Sequence, residues 1–350
     1  MGSPPRHRVL VAMSGGVDSS VAAALLLEQG HEVVGVTLHL WDARGEHQVG
    51  RCCAPEDRDD ARRTCEHLGV PHYVVDEREA FRREVVEPFL DEYRAGRTPS
   101  PCVHCNRTVK LVQLAELADR FGCSHVATGH YARVGPGPRL YRGRDRKKDQ
   151  SYFLFGVPPA VLERMIFPLG ERVKDESREE ARRLGLPNAD KPDSQELCFV
   201  PDGDVRGFVE RERGGTTPGR FVTPAGEELG RHEGIEAYTV GQRRGLGLGG
   251  GPARYVLKIL PESGDVVVGE DAALHTRALR VPTATWLQPP DGPFDAAVRI
   301  RHRHAPAPAR IEPEGEGFVA RFEAPQRAIT PGQAAVVYVG DEVRGGGFIA

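Results

Sequence analysis

A short apolar strand, a turn through two glycines and a helix open the chain, and this combination restricts the fold more than any other stretch. Residues 9–11 have the composition of a buried strand, and residues 19–29 predict a helix with an apolar stripe. Gly30 is placed to end that helix, and residues 32–38 predict a second strand. This order is that of a βαβ unit, so we expect an α/β domain.

The turn between the first strand and the helix has the composition of a phosphate-binding loop. A glycine-rich connection lets backbone N–H groups approach an anion, and the helix N-terminus adds partial positive charge. The loop lacks the Gly-Lys-Ser/Thr ending of a Walker loop and is not the G-x-G-x-x-G of dinucleotide-binding folds. Phosphate or pyrophosphate is the expected ligand, and a tight Gly-Gly turn is the alternative. The loop reads Ser14-Gly15-Gly16-Val17-Asp18-Ser19-Ser20.

Alternating helix and strand patterns continue to about residue 130. Helical patterns cover 55–68, 80–95 and 106–121, and apolar strands cover 72–75 and 124–128. The alternation predicts a doubly wound parallel sheet with its active site at the carboxyl ends of the strands. Gly129 follows such a strand, where a glycine would let a nucleotide come close or would simply form a strand-to-loop turn.

Length and composition exclude several classes of protein. The chain has 350 residues, 39% of them apolar and 28% charged, which is enough for two or three packed domains. No signal peptide and no membrane span is predicted, so a cytoplasmic location is expected. The net charge of −3 excludes a uniformly basic surface, so an RNA would have to bind a local positive patch.

Two basic clusters could provide such a patch, although charged runs of this kind are commonly solvated surface. The first holds Arg139, Arg142, Arg144, Arg146, Lys147 and Lys148, and the second holds Arg299, Arg301, His302, Arg303, His304 and Arg310.

Cys102 and Cys105 form a Cys-x-x-Cys pair just ahead of the predicted 106–121 helix. A helix dipole lowers the pKa of a thiol placed at its N-terminus, which favours a reactive pair. The spacing alone also suits a zinc half-site, a redox pair, an iron–sulfur ligand pair or two structural cysteines. Cys198 lies farther along the chain in a polar segment.

The other cysteines are expected to have lesser roles. Cys65 and Cys123 are predicted to pack in the core. Cys52 and Cys53 are adjacent, which makes an awkward chelate.

Six motifs occur in order over nearly the whole chain. They are SGGVDSS from Ser14, GRTPSPCVHCN from Gly96, GHYAR from Gly129, KDQSYFL from Lys148, DSQELCF from Asp193 and APQRAITPGQAAVVY from Ala324. The first resembles the signature of the pyrophosphatase-loop ATPases, which cleave ATP between its α and β phosphates. Together the six resemble the tRNA-specific 2-thiouridylases, the MnmA family.

The resemblance implies a fold and a reaction. The fold is an adenine nucleotide alpha hydrolase-like α/β domain over 1–205, a small central β-rich domain over 206–270 and a C-terminal tRNA-binding β-barrel over 271–350. The reaction uses ATP and Mg²⁺ to adenylate the 2-carbonyl of the wobble uridine. Persulfide sulfur then displaces AMP to give 2-thiouridine. The partners are tRNA and a sulfur-donor protein, either a cysteine desulfurase or a relay.

The resemblance also implies roles for particular residues. Cys105 would be the nucleophile that forms a disulfide with Cys198, and Cys198 would carry the persulfide. Asp18 would help to position Mg²⁺. ATP would be bound by Ala12, Met13, Ser14, Gly15, Gly16, Val17, Asp18, Ser19, Leu38 and Gly129. The tRNA and its target base would meet Ser100, Pro101, Cys102, Lys148, Asp149, Gln150, Arg301 and His302.

Cys102 departs from the family pattern, in which an aspartate is common at this position. Because Cys102 has a thiol instead of a carboxylate, the general acid–base role of that aspartate is in doubt. Cys102, Cys105 and Cys198 also equal the ligand count of a [4Fe–4S] cluster with one open iron. A cluster-dependent tRNA thiolase is therefore an alternative. A pyrophosphatase-loop synthetase for a small metabolite and a non-catalytic RNA-binding module are weaker ones, because each leaves part of the motif set unused.

Overall fold

The computed structural model describes residues 6–42, 55–193, 197–200, 203–249 and 251–350. The α helices are α1 (Val17–Glu28), α2 (Pro55–Leu68), α3 (Arg78–Phe81), α4 (Glu87–Arg94), α5 (Pro101–His104), α6 (Leu111–Arg120), α7 (Pro159–Leu162), α8 (Lys174–Arg183) and α9 (Val205–Arg213). Wider π-helical turns at Arg82–Val86 and Cys105–Lys110 join α3 to α4 and α5 to α6.

The first nine strands are β1 (Arg8–Ala12), β2 (Glu32–His39), β3 (His72–Asp76), β4 (His125–Ala127), β5 (Ala132–Gly135), β6 (Arg139–Arg142), β7 (Met165–Ile166), β8 (Gly219–Val222) and β9 (Glu228–His232). The last nine are β10 (Tyr255–Leu260), β11 (Asp265–Gly269), β12 (His275–Val281), β13 (Ala284–Trp286), β14 (Phe294–Arg299), β15 (Ala307–Glu314), β16 (Gly317–Arg327), β17 (Ala334–Val339) and β18 (Glu342–Phe348).

The chain divides into two compact units. The first contains Met1–Glu84, Cys102–Pro201 and Asp341–Val343, and the second contains Val85–Pro101, Asp202–Gly340 and Arg344–Ala350. The proposed domain boundaries of 1–205, 206–270 and 271–350 stay a prediction.

A five-stranded parallel sheet forms the centre of the first unit, in the order β3-β2-β1-β4-β7. Most of β1 and β2 is buried, as expected of parallel strands covered on both faces. The chain builds β2 and β3 on one side of β1 and β4 on the other. The end of β1 is thus the point at which the strand order reverses, where open α/β sheets bind their ligands.

Helix α1 is apolar on nearly all sides because both of its faces are covered. Ala23 and Leu26 pack with Val9 and Val11 of the sheet. On another face Val21 packs in a cluster with Ala181 of α8. Because α1 is packed on both faces, the direction of its N-terminus is fixed. The glycine-rich loop lies at that end.

The second unit is β-rich and contains two sheets. Strands β10, β11, β8 and β9 form a four-stranded sheet in that order, and β12, β16, β15, β14 and β17 are hydrogen-bonded in sequence. Inward residues of the latter strands recur at every second position, as in Phe318, Ala320 and Phe322, and build one core. The expected α/β domain followed by β architecture is confirmed.

Helix α4 belongs to the second unit. The Phe89 ring packs edge-on against Phe208 of α9 at 6.1 Å between centroids. Arg213 closes the contact with ion pairs to Glu87 at 2.9 Å and Asp91 at 2.5 Å. In the described ranges, no helix has the length and apolar character that a membrane crossing requires.

Candidate nucleotide and thiol site

The glycine-rich loop is held by hydrogen bonds to the neighbouring strand and to its own helix. The Met13 N–H donates to the Val36 carbonyl at 2.8 Å, and the Thr37 hydroxyl donates to the Met13 carbonyl at 2.7 Å. At the other end the Ser14 N–H donates to Oγ of Ser19 at 3.2 Å. The loop is therefore shaped before any ligand arrives.

Gly15 occupies a position that no other residue could share without displacement. Its φ of +73° lies in the left-handed region, and a Cβ would come within 2.0 Å of the Asp57 carbonyl oxygen in α2. The Gly15 carbonyl accepts hydrogen bonds from Asn188 Nδ2 at 3.0 Å and Lys191 Nζ at 3.2 Å. Lys191 also pairs with Asp60 at 2.6 Å, so the loop is tied to α2.

Gly129 brings the end of β4 against the start of α1. A Cβ at Gly129 would lie 2.7 Å from the Asp18 carbonyl carbon and 2.8 Å from the Ser19 nitrogen. Such distances are far inside van der Waals contact, so only glycine permits this approach. The two motifs around Gly15 and Gly129 therefore meet at the switch point of the sheet.

The Asp18 carboxylate, which the sequence suggested for Mg²⁺, is bound by a lysine. Lys174 Nζ lies 2.7 and 2.8 Å from its two oxygens, and the Tyr131 hydroxyl donates to Oδ1 at 2.9 Å. Burial and the Asp18 charge raise the pKa of Tyr131, so its hydroxyl keeps its proton. The donor set around Asp18 is therefore cationic and does not fit a divalent metal as arranged.

Asp193, the first residue of the DSQELCF motif, forms ion pairs with three cations. Its oxygens lie 2.6 Å from Lys148, 2.8 Å from Lys174 and 2.9 Å from Arg178. Burial acts to raise the pKa of Asp193, but the hydrogen bonds and charges of Lys148 and Lys174 outweigh it and hold the pKa at about 2. Asp193 is therefore ionised throughout the physiological range.

Phe199 anchors the backbone beside Cys198. Its ring is 2% exposed and packs edge-on against Phe81 at 5.6 Å and against Trp41 at 6.4 Å between centroids. Cys198 itself is partly exposed. The buried ring of Phe199 therefore fixes the position of the chain next to the partly exposed Cys198.

Cys102 and Cys105 lie inside a helix, so the prediction that they precede it is wrong. The helix begins at Pro101, whose fixed φ and missing N–H suit the first helical position. Cys102 is exposed in the first turn, whereas Cys105 is 8% exposed and opens the π-helical turn Cys105–Lys110. Insertions of this kind are frequent at functional sites.

The prediction that Cys65 and Cys123 pack in the core is confirmed. Cys65 and Cys123 are buried, and burial raises the pKa of Cys65 to about 12. Cys52 and Cys53 lie outside the described residues. Within the described ranges no three His, Cys, Asp or Glu side chains are grouped to hold a metal ion. The arrangement of Cys102, Cys105 and Cys198 therefore does not fit a preformed cluster site.

The residues predicted to meet the target base are in different environments. Lys148 is partly exposed and paired with Asp193. Gln150 accepts from the Tyr131 N–H at 2.9 Å. Asp149 is 1% exposed and accepts from the N–H groups of Gly143 and Ser151, so it shapes the loop from inside.

The other predicted RNA contacts lie in the second unit. Ser100 is buried. Arg301 and His302 are partly exposed, and Arg301 donates a hydrogen bond to the Arg327 carbonyl at 3.1 Å. In the first basic cluster, Arg146 pairs with Asp341 at 2.6 Å and Arg144 with Glu176 at 3.2 Å. Part of that charge is neutralised within the protein.

Four residues with prominent contacts were missed by sequence reasoning. Tyr131 stands inside the GHYAR motif, which was the available signal. Lys174, Asn188 and Lys191 belong to no recognised motif, and their partners are distant in the chain.

His130, next to Gly129, is uncharged at neutral pH. Its Nδ1 lies 2.7 Å from the Thr128 hydroxyl. Burial lowers its pKa from the ordinary 6.5 to about 3, and the nearby Lys110 charge acts in the same direction. The imidazole next to the loop is therefore neutral.

The fold and the loop together define a HUP-type domain joined to two β domains. The family model described as the tRNA methyl transferase HUP domain matches residues 7–202. The tRNA methyl transferase PRC-barrel domain matches 206–270, and the aminomethyltransferase beta-barrel domain matches 276–349.

Curated relatives identify the family more narrowly. Proteins named tRNA-specific 2-thiouridylase MnmA match from Sorangium cellulosum, with 52% identity over 98% of this chain and 92% of the relative, and from Carboxydothermus hydrogenoformans, with 49% identity over 98% of both. The chain belongs to the tRNA-specific 2-thiouridylase MnmA family. A solved 4-thiouridine synthetase–RNA complex with bound ATP aligns at a TM-score of 0.40 and 18% identity, over 59% of this chain and 50% of that chain.

We expect Gly129→Ala to weaken ATP binding about tenfold, because the added methyl would displace the backbone at Asp18 and Ser19. Isothermal titration calorimetry measures the affinity. Gly292→Ala is the matched control, since a Cβ there meets nothing within 4 Å. Equal affinities in the two variants would contradict the proposed closeness of the two motifs.

His130 should make the protein less stable in mild acid. The folded-state pKa is the lower one, so the unfolded chain binds more protons between pH 6.5 and pH 3. Its stabilising contribution is complete above pH 6.5 and is lost by up to about 1.4 kcal/mol per pH unit below it. The drop in melting temperature from pH 7.5 to pH 5.5 should be smaller in His130→Gln than in the wild type. An unchanged drop would show that folding does not lower the pKa of His130.

Proposed function

We propose that the protein is a tRNA 2-thiouridylase, which uses ATP to activate the 2-carbonyl of the wobble uridine and a cysteine persulfide to replace its oxygen with sulfur. The observation that carries the proposal is the chain of contacts from Asp18 in the glycine-rich loop through Lys174 to Asp193, which precedes Cys198 in the DSQELCF motif. The names of the relatives agree with that chemistry.

The word methyl transferase in the family-model names points to a second candidate function. Methyl transfer needs a bound methyl donor, and it does not need a loop that binds pyrophosphate. The residues around Gly15, Asp18 and Cys198 have a use in thiolation and none in methylation. The structure therefore favours thiolation.

Adenylation turns the carbonyl oxygen of uracil into a better leaving group. The carbonyl oxygen of uracil is a poor leaving group, and attaching it to AMP converts it into a phosphate ester that departs readily. We assign the leaving pyrophosphate to the backbone N–H groups of Ser14–Gly16 and the N-terminus of α1. Residues Ala12, Met13, Val17, Asp18, Ser19, Leu38 and Gly129 complete the proposed ATP site.

Sulfur transfer then needs two thiols. The terminal sulfur of a Cys198 persulfide attacks C2, and the C2–O bond breaks as AMP leaves with both electrons. The Cys105 thiolate next attacks the Cys198 sulfur, which forms a Cys105–Cys198 disulfide and leaves the terminal sulfur on C2 as 2-thiouridine. A sulfur-donor protein supplies the persulfide, and an external thiol reduces the disulfide.

RNA recognition is assigned to residues of both units, among them the partly exposed Lys148, Arg301 and His302. Lys148 and Gln150 flank the buried Asp149, so Asp149 holds their loop in shape. We also assign tRNA contact to Cys102 of the first unit and to Ser100, Pro101, Arg301 and His302 of the second unit. The target base must leave its stack, and an anticodon loop lowers that cost to a few kcal/mol or less.

Cys198→Ser should adenylate tRNA and release pyrophosphate but yield no 2-thiouridine, because the adenylation step precedes the use of the thiol. Mass spectrometry of digested tRNA measures the product, and pyrophosphate release measures the first step. Cys123→Ala removes a buried thiol of raised pKa and should leave both steps intact. Thiolation by Cys198→Ser would remove this residue from the mechanism, and methylation without thiolation would overturn the assignment.

Cys102→Asp distinguishes the persulfide mechanism from the iron–sulfur alternative. It restores the residue that is common in the family, so we expect substantial thiolation and no iron in the variant or in the wild type. Anaerobic purification followed by iron and sulfide analysis gives the metal content. An oxygen-sensitive, iron-loaded wild type whose variant loses both metal and activity would favour the cluster mechanism.

A further inference from the structure

Lys191 is a largely buried lysine whose ammonium is bonded to three protein oxygens. Its Nζ lies 3.2 Å from the Gly15 carbonyl oxygen and 2.6 Å from Asp60, and it also pairs with Asp57. An ammonium has three protons to donate, and these three acceptors use all of them. In this arrangement Lys191 has no proton left for a phosphate, so its hydrogen bond to the glycine-rich loop acts on the backbone.

The charge of Lys191 is balanced inside the protein. Asp57 and Asp60 both belong to α2, and both of their carboxylates pair with the ammonium. Two acids against one ammonium leave no excess positive charge at this position. Lys191 therefore differs from a lysine that binds phosphate as a point charge, and it contributes the direction of a hydrogen bond to the loop.

Asn188 makes a second hydrogen bond to the same carbonyl. Its side chain is buried, and Nδ2 donates to the Gly15 carbonyl at 3.0 Å and to Oγ of Ser20 at 2.8 Å. A carbonyl oxygen has two lone pairs, and Lys191 and Asn188 together occupy them. Two side chains from the segment after α8 thus fix the direction of the Gly15 carbonyl.

The peptide group that carries this carbonyl also carries the Gly16 N–H. In a trans peptide the C=O of one residue and the N–H of the next point in opposite directions. Gly15 is buried and Gly16 is partly exposed, so a carbonyl held inward leaves the Gly16 N–H directed outward. In the part of the chain that the structure describes, no group accepts a hydrogen bond from it. Gly16 is the N-cap of α1, where free N–H groups favour an anion.

We propose that Lys191 and Asn188 are positioning residues for the pyrophosphate portion of ATP. By holding the Gly15 carbonyl, they direct the Gly16 N–H at the phosphates, although neither side chain contacts the ligand. Binding of ATP should therefore depend on both residues. Binding of AMP, which lacks the pyrophosphate, should not. The inference rests on the proposed function, since it requires ATP at the glycine-rich loop.

The test compares the affinities of the full-length protein for ATP and for AMP by isothermal titration calorimetry. Lys191→Met keeps a long unbranched side chain and removes the ammonium. We expect it to weaken ATP binding about tenfold, because a misdirected N–H loses a hydrogen bond to a charged ligand. AMP binding should stay as in the wild type. A merely structural role would weaken the binding of both ligands alike.

Two further variants separate positioning from charge and from loss of structure. Asn188→Ala removes an uncharged donor and leaves Lys191 paired with both acids. It should weaken ATP binding about threefold, again without an effect on AMP. Arg63→Met is the matched charge control, because Arg63 is exposed and pairs with Asp60 at 2.7 Å. It should bind both ligands as the wild type does.

The remaining outcomes decide between these explanations. Wild-type ATP affinity in Asn188→Ala, with a loss in Lys191→Met, would mean that Lys191 acts through its charge or binds phosphate itself, which overturns the inference. Wild-type ATP affinity in Lys191→Met, an equal loss for ATP and AMP, or an equal loss in Arg63→Met also overturns it and leaves the proposed function standing. A wild type that binds no ATP contradicts the proposed function itself.

Discussion

The close backbone contact between the end of β4 and the start of α1 is the constraint on which the rest of the site depends. Gly129 lies so near Asp18 and Ser19 that a single added carbon would overlap them. The contact fixes where the chain goes next. Tyr131, two residues on, is thereby placed to reach Asp18, and Gln150 is bonded to the backbone of Tyr131 in both directions. One steric condition thus aligns the glycine-rich loop with the start of the KDQSYFL motif.

Buried cations complete the arrangement around that contact. Lys191 ties the carbonyl of Gly15 to the acids of α2, and Lys174 ties Asp18 to Asp193. Each lysine is paired, because an unpaired ammonium would cost several kcal/mol in the interior. Their charges lie close to the N-terminus of α1, where anions are stabilised. The glycine-rich loop is thus fixed by ion pairs on both of its sides.

Sequence reasoning predicted well where the signal was local. The helix at Pro55–Leu68, the strands on either side of α1 and the glycine-rich turn all follow from periodicity and glycine placement. It failed at the start of the cysteine helix, because the pattern of apolar residues begins at 106 whereas Pro101 sets the true first turn. It missed Lys174 because the partner Asp18 is 156 residues away, and no spacing rule reports such a contact.

The five described cysteines differ in exposure, and exposure governs the reactivity of a thiol. Cys65 is held in the core, where burial keeps its pKa near 12 and its sulfur protonated and inert. Cys102 stands exposed in the first turn of a helix, where backbone N–H groups stabilise a negative charge whether it is carried by a thiolate or by a carboxylate. A Cys102→Asp substitution therefore keeps a group that the helix N-terminus can stabilise as an anion, although a carboxylate is far less nucleophilic than a thiolate.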